Sequence, residues 1–182
     1  MLYYIFIIEN MNYDIKVIIV GIDKIGKSCF RSKISNFNNN HETLIREYKK
    51  TIVAELSFKI IKKQKINIRI QLWDLEWNIN TINIFVKDAH VILMFYDSMN
   101  RQSFEKVKNL YFSDLKVNKA IFFMVRSQYD LKNKPSDNSD IVSDEEVLEF
   151  VNKNKMNFAH ISNIEKYETG IDNLFDNLFS SY

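Results

Sequence analysis

Gly21-Ile22-Asp23-Lys24-Ile25-Gly26-Lys27-Ser28 is the stretch from which the rest of the chain is read. The chain holds only three glycines, Gly21, Gly26 and Gly170, and two of them stand in this one loop. Glycine is needed where backbone passes close to a ligand or turns through positive φ, so their concentration marks a site before any motif is named. The spacing fits G-x-x-x-x-G-K-S, and the flanks supply the context that motif requires. Ile15–Val20 (IKVIIV) is a continuous β-branched run, consistent with a strand buried on both faces, and Ser28–Ser35 can form a helix. In such a loop the backbone N–H groups and the helix start face phosphates. Lys27 would place its ammonium on the β- and γ-phosphates and the Ser28 hydroxyl would hold Mg2+. Asp23 and Lys24 sit mid-loop, where small residues are more usual, and narrow the cradle or add charge. The plainer alternative is a glycine turn before a helix that happens to contain Lys-Ser.

Outward from the loop, strand and helix signals alternate. Asn36–Glu42 is a polar loop. Thr51–Ile61 and Lys65–Trp73 alternate as paired strands around a Lys-rich turn at Lys62–Gln64. Ala89–Tyr96 and Ala120–Val125 are buried apolar strands. Between them Ser103–Asp114 carries Phe104, Val107, Leu110 and Tyr111 at helical spacing. Lys132–Asp140, with the sole Pro135, is a loop, and Ser143 with Glu146 forms a capping-box signature for a helix to Asn154. Asn157–Ile161 is a short last strand and Ile171–Phe179 an amphipathic last helix. Together these predict an α/β fold of the P-loop NTPase type: a mostly parallel six-stranded sheet with helices on both faces.

Composition narrows the function classes. A chain of 182 residues is one domain with a substantial core. With 46% hydrophobic and 26% charged residues it is a folded rather than a disordered chain, and a net charge of +2 gives no basic excess for nucleic acid. The abundance of Asn, Ile and Lys reads as codon bias of an AT-rich genome. Cys29 is the only cysteine, which rules out an intramolecular disulfide and fits a reducing compartment. No run approaches the roughly 18 apolar residues of a membrane span. Leu2–Ile8 is apolar but lacks a basic flank and a cleavage site. It reads as an upstream start or an added edge strand rather than an anchor, with Met11 as the alternative start. The domain plan is thus an N-terminal extension at residues 1–13 and one folded domain at residues 14–182.

In order and in rough spacing, the segments from Asp14 to Phe179 resemble the Rab branch of the Ras-like small GTPases. Lys16–Phe30 (KVIIVGIDKIGKSCF) resembles the family's first strand and P-loop. Thr51-Ile52-Val53-Ala54-Glu55-Leu56 resembles switch I, whose Thr reaches Mg2+ and the γ-phosphate. Ile70–Asp74 (IQLWD) resembles the strand that ends in the Walker B aspartate. Lys87–Asp97 (KDAHVILMFYD) and Asn100–Asn109 (NRQSFEKVKN) resemble the fourth strand and third helix. The resemblance implies a small-GTPase G domain that takes GTP or GDP with Mg2+ and acts as a switch in vesicle traffic or related signalling. It implies nucleotide-binding positions at Gly21, Asp23, Lys24, Ile25, Gly26, Lys27, Ser28, Cys29, Thr51, Asp74, Asp130 and Ser162. Mg2+ would be held by Ser28, Thr51 and, through water, Asp74. An effector protein would dock on switch I and the Trp73 strand, around Ile52, Glu55, Leu56 and Trp73.

The departures from the pattern carry as much weight. After Asp74 the family reads Asp-x-x-Gly-Gln; here Leu75, Glu76, Trp77 and Asn78 follow. Trp77 stands in the place of the glycine that senses the γ-phosphate. The glutamine that orients the attacking water is at best the catalytic candidate Asn78, one methylene shorter. The stretch from Asp74 to Ala89 is also shorter than the family pattern, which leaves that register open. Ser127-Gln128-Tyr129-Asp130 replaces Asn-Lys-x-Asp, so guanine preference is expected to be weak and held mainly by Asp130. Ser162-Asn163-Ile164 replaces Ser-Ala-Lys. The expectation is a switch with slow or absent GTP hydrolysis, or alternatively a pseudo-GTPase interaction module without turnover; a P-loop kinase or ATPase is a weaker third reading. Plainer roles stand beside these: Trp73 and Trp77 packing on the core edge, Asp130 as a cap or turn residue, Thr51 as a strand residue. The chain stops at Ser180-Ser181-Tyr182 without a cysteine, and Leu2 excludes N-myristoylation. A monomer without a direct lipid anchor is therefore expected, cytoplasmic or held at membranes through partners.

Overall fold

Val91–Asp97 (VILMFYD) shows how the sheet is made. Its first six residues are all buried, and successive side chains leave opposite faces of a strand. Ile92, Met94 and Tyr96 enter one core, while Val91, Leu93 and Phe95 enter a second. A strand that must satisfy two cores has no polar face, which is why it reads as a continuous apolar run. The computed structural model describes residues 11–35, 51–63, 66–127 and 141–161.

The described strands are β1 (Met11–Val20), β2 (Ala54–Lys63), β3 (Ile66–Leu75), β4 (Val91–Asp97), β5 (Ile121–Ser127) and β6 (Asn157–His160). They form one six-stranded sheet in the order β2-β3-β1-β4-β5-β6. Only the β2–β3 pair is antiparallel; every other pair is parallel. The helices are α1 (Lys27–Ser35), α2 (Ile79–Phe85), α3 (Arg101–Leu110) and α4 (Asp144–Lys153). Phe30 and Ile34 of α1 pack in one core, and Ile82, Phe104 and Val147 of α2, α3 and α4 pack in the other. The expected α/β fold with helices on both faces is what the chain adopts. No helix among the described residues is long and apolar enough to cross a membrane.

Several boundaries move from their sequence-based positions, each for a local reason. β1 starts at Met11 and pairs Met11, Asn12 and Tyr13 with Ile66, Asn67 and Ile68, so the sheet reaches three residues into the stretch assigned to the extension. β2 and β3 pair as far as Lys63 and Ile66, which takes Lys62 and Lys63 into the ladder from the Lys-rich turn placed at Lys62–Gln64. Thr51 precedes β2 instead of opening it. The helix after β4 is α-helical only to Leu110, and Tyr111–Leu115 continues it as a π-helical turn closed by Lys116 N–H on the Tyr111 carbonyl at 2.8 Å. Tyr111 and Leu115 both face the core. Ser143 caps α4 by accepting from Glu146 N–H. The reciprocal half of the capping box does not form, because the Glu146 carboxylate takes both Arg101 guanidinium nitrogens at 3.0 Å. α2 has no counterpart in the sequence reading. The last predicted helix, Ile171–Phe179, and the loops Asn36–Glu42 and Lys132–Asp140 lie outside the described residues.

Phe104 joins the sheet to two helices. It is fully buried, with its ring 5.2 Å from that of Tyr96 and 6.1 Å from that of Phe150. Phe104→Ala should cost about 3–5 kcal/mol of stability, read from the urea midpoint at unchanged m-value. A loss below about 1 kcal/mol would mean the ring is not a central contact of that core.

Candidate functional site

β1 has β3 on one side and β4 on the other. The chain leaves β1 to build one flank and later crosses to build the other, which opens a crevice at the carboxyl end of β1, where open α/β sheets bind ligands. Residues 21–26 occupy that crevice and lead into α1. Gly21 has φ +150°, and a Cβ there would stand 2.7 Å from the Phe95 carbonyl oxygen and 3.2 Å from Ile25 Cγ2. Gly26 turns through φ +95° just before α1, and Lys24 adopts a left-handed φ of +62° without being glycine. The Ile25 side chain is buried under the loop in the second core; any contact it makes to a ligand is through its backbone.

Lys27 is the first residue of α1 and is buried. Its ammonium donates to the Gly21 carbonyl at 2.7 Å and the Ile22 carbonyl at 3.0 Å. Burial lowers its pKa, and the charges of Asp74 and Asp23 oppose that shift. Asp74 lies near the end of β3 and is fully buried. Its Oδ2 accepts from the Ser28 hydroxyl, while Oδ1 has no hydrogen-bond partner among the described residues. Burial raises the Asp74 pKa; the Ser28 hydrogen bond and the charges of Lys27 and Arg31 counter it, and Glu55 adds to the rise. Thr51 is buried as well, with Oγ1 3.4 Å from Ser28 Oγ.

Ser28, Thr51 and Asp74 thus present three oxygens to one spot beneath the loop, one of them a buried carboxylate oxygen with an unfilled acceptor. A small hard cation that takes oxygen ligands and shares itself with phosphates fits that donor set. The described residues hold no group of three His, Cys, Asp or Glu that would make a separate metal centre.

The other expected positions fall elsewhere. Asn78 caps α2: its Oδ1 accepts from Asn80 N–H at 3.0 Å and Thr81 N–H at 3.3 Å. Trp73 and Trp77 pack against the edge of the first core, and the Trp73 ring lies 5.1 Å from Phe85. Ser127, at the head of the segment that stands for the guanine motif, is fully buried and donates to the Tyr96 carbonyl at 3.0 Å. Asp130 and Ser162 lie outside the described residues. Arg31 was missed altogether. It sits one helical turn beyond Ser28, and its guanidinium reaches Glu55, Ser57 and the edge of Asp74. Its only sequence signal was the i, i+3 spacing from Ser28.

The sequence model of the Ras family matches residues 16–182. GTP-binding protein YPT1 of Saccharomyces cerevisiae is 25% identical over 174 residues, covering 91% of this chain and 78% of the relative. Ras-related protein Rab-1 of Theileria parva is 26% identical over 174 residues, covering 90% of this chain and 74% of the relative. Ras-related protein RabY of Dictyostelium discoideum is 28% identical over 168 residues, covering 86% and 67%.

The Gly21 contact has a direct consequence. Gly21→Ala should lower stability by about 1–3 kcal/mol, because the added methyl meets backbone rather than a movable side chain. Thermal unfolding without added nucleotide measures it. An unchanged midpoint would mean that the loop does not close on β4 as described.

Proposed function

The chain belongs to the Ras family as a divergent Rab-like member, and from that premise we propose that it is a guanine-nucleotide-binding switch that hydrolyses GTP slowly or not at all. Its setting would be vesicle traffic or related signalling, as for Rab proteins. The observation that carries the reading is the convergence of Lys27, Ser28, Thr51 and Asp74 under the glycine loop, with one buried Asp74 oxygen left to be satisfied.

Each residue has a task in this reading. The first N–H groups of α1 have no intrahelical acceptor and favour an anion. Lys27 exchanges the carbonyls of Gly21 and Ile22 for phosphate oxygens. Ser28, Thr51 and Asp74 are the residues that would hold Mg2+, which would supply positive charge to offset the negative charge of a triphosphate. Thr51 already lies beside Ser28; a γ-phosphate would add a contact to it and hold Ile52 and the start of β2 in place as a partner surface. Ile52 is 82% and Leu56 38% exposed on that surface, and Trp73 lies opposite Leu56 in the ladder.

Hydrolysis needs a positioned water and charge stabilisation. Asn78 is a poor candidate for the first, since its oxygen is occupied by two backbone N–H groups. Trp77 packs on the core, and no arginine lies between Arg69 and Arg101. The same capping role of Asn78 favours the second reading, a pseudo-GTPase module that binds partners without turnover.

One pair of measurements on wild type and Lys27→Ala separates these outcomes. Calorimetry should show guanine nucleotide bound by the wild type and weakened about one to two decades by Lys27→Ala, the effect of losing a charge-assisted hydrogen bond. Single-turnover hydrolysis of pre-loaded GTP should fall below the roughly 10⁻⁴ s⁻¹ of an intrinsic Ras-type reaction. Equal binding by the two proteins would refute the phosphate site. A rate at or above that value, abolished in Lys27→Ala, would make the protein an ordinary GTPase.

A further inference from the structure

We propose that Arg31 is a cation built into the metal side of this site, and that it makes triphosphate binding less dependent on Mg2+ than it would be with an uncharged residue at position 31. The inference rests on the nucleotide reading above and adds a residue that the phosphate motif does not contain.

The geometry is specific. Arg31 follows Ser28 by three residues on α1, so the two side chains share a face of the helix. Its Nε lies 4.0 Å from Asp74 Oδ2, the oxygen that also takes the Ser28 hydroxyl. The outer guanidinium nitrogens are fixed by strand β2, one on Ser57 Oγ and the other on Glu55 Oε2. Ser57 and Glu55 are two residues apart and therefore lie on one face of β2. The side chain is 16% exposed, and Nε is buried without a hydrogen-bond partner among the described residues. The guanidinium is thus held from behind, with its unpaired N–H on the side of the metal-site carboxylate. Both ends lie on regular elements, one on a helix and the other on a sheet strand.

An arginine stays protonated at any physiological pH. With Arg31 in place, part of the Asp74 charge is already matched before any metal arrives, and an arriving Mg2+ meets a site that is one positive charge richer. Two effects follow from Coulomb's law in a site with little water. Mg2+ gains less from Asp74, and phosphate oxygens keep a second fixed cation, besides Lys27, when Mg2+ is removed. The second effect is the one that changes the coupling: the factor by which Mg2+ tightens nucleotide equals the factor by which nucleotide tightens Mg2+.

The test is the ratio of the Kd for a fluorescent, non-hydrolysable GTP analogue in EDTA to that in excess Mg2+, measured for wild type, Arg31→Leu and Arg31→Lys. The expected result is a ratio larger by about tenfold or more in Arg31→Leu than in wild type, with Arg31→Lys close to wild type. A merely structural tether between α1 and β2 would weaken binding equally in both conditions and leave the ratio unchanged. Equal ratios in wild type and Arg31→Leu, with tight binding in Mg2+, overturn this proposal and leave the nucleotide reading standing. Absence of binding by wild type in Mg2+ overturns the nucleotide reading and this proposal with it. If Arg31→Leu does not fold, Arg31→Gln, a shorter polar side chain without charge, replaces it with the same expectations.

Discussion

The carbonyl oxygen of Phe95 stands 2.7 Å from where a Cβ on residue 21 would be, and the arrangement of the site follows from that closeness. β1 must end against β4 because the two strands pair in register from Val17 with Val91 to Val20 with Met94. The loop then has to leave over the top of Phe95, turn, and start α1 within a few residues. Phe30 of α1 packs its ring 5.2 Å from that of Phe95, beneath the same residue whose carbonyl sets the turn. One residue of β4 therefore fixes both ends of the loop, and the N-terminus of α1 is aimed into the crevice between the diverging flanks of the sheet. The backbone, not any side chain, sets where an anion would sit.

Around that frame the charges are arranged against their own solvation. Asp74 is buried with one oxygen unsatisfied among the described residues, and Lys27 is buried with its ammonium turned onto loop carbonyls. Burying either alone is costly. They are tolerable together because Ser28, Lys27 and Arg31 surround the carboxylate with a hydroxyl and two cations. Such a cluster is poorly satisfied by itself and better satisfied by a ligand that brings both phosphate and metal. Folding sets the carboxylate, the hydroxyls and Arg31 in place, and Lys27 is the group that has to change partners on binding.

How much of this could be read from sequence depends on the range over which each signal acts. The glycine loop, the buried runs of β1, β4 and β5 and the Phe104–Leu110 stripe are local patterns, and the structure keeps them. α2 was legible in principle: Asn78 is a standard capping residue, followed by Ile79, Ile82, Phe85 and Val86 at helical spacing. The resemblance of the same residues to switch II competes with that signal and gives Asn78 a water to orient instead of two N–H groups to cap. The π-helical turn at Tyr111–Leu115 was not legible, since one inserted residue leaves an apolar stripe looking helical. Glu146 shows the limit of a motif: the capping box was complete in sequence, but Arg101, from another helix, won its carboxylate. The role of Arg31 depends on the register of β2 against β3, which brings Glu55 beside Asp74. No local pattern carries that information.

The shortage of glycine reaches beyond the phosphate loop. Lys24, Val53, Asp88 and Lys155 all take left-handed backbone conformations that glycine adopts freely. Each carries a penalty of roughly 1–2 kcal/mol for an ordinary L-residue, and Val53, being β-branched, is the most strained of them. Val53 is also pinned between Thr51 and β2, with its carbonyl accepting from Glu76 N–H at 3.0 Å. A chain with two of its three glycines in the phosphate loop builds other described tight turns from residues that resist them. The consequence is a narrower mutational tolerance than the well-filled cores suggest. Destabilising substitutions then bring this fold closer to its unfolding threshold, so sequence drift is expected to be most constrained at these turns.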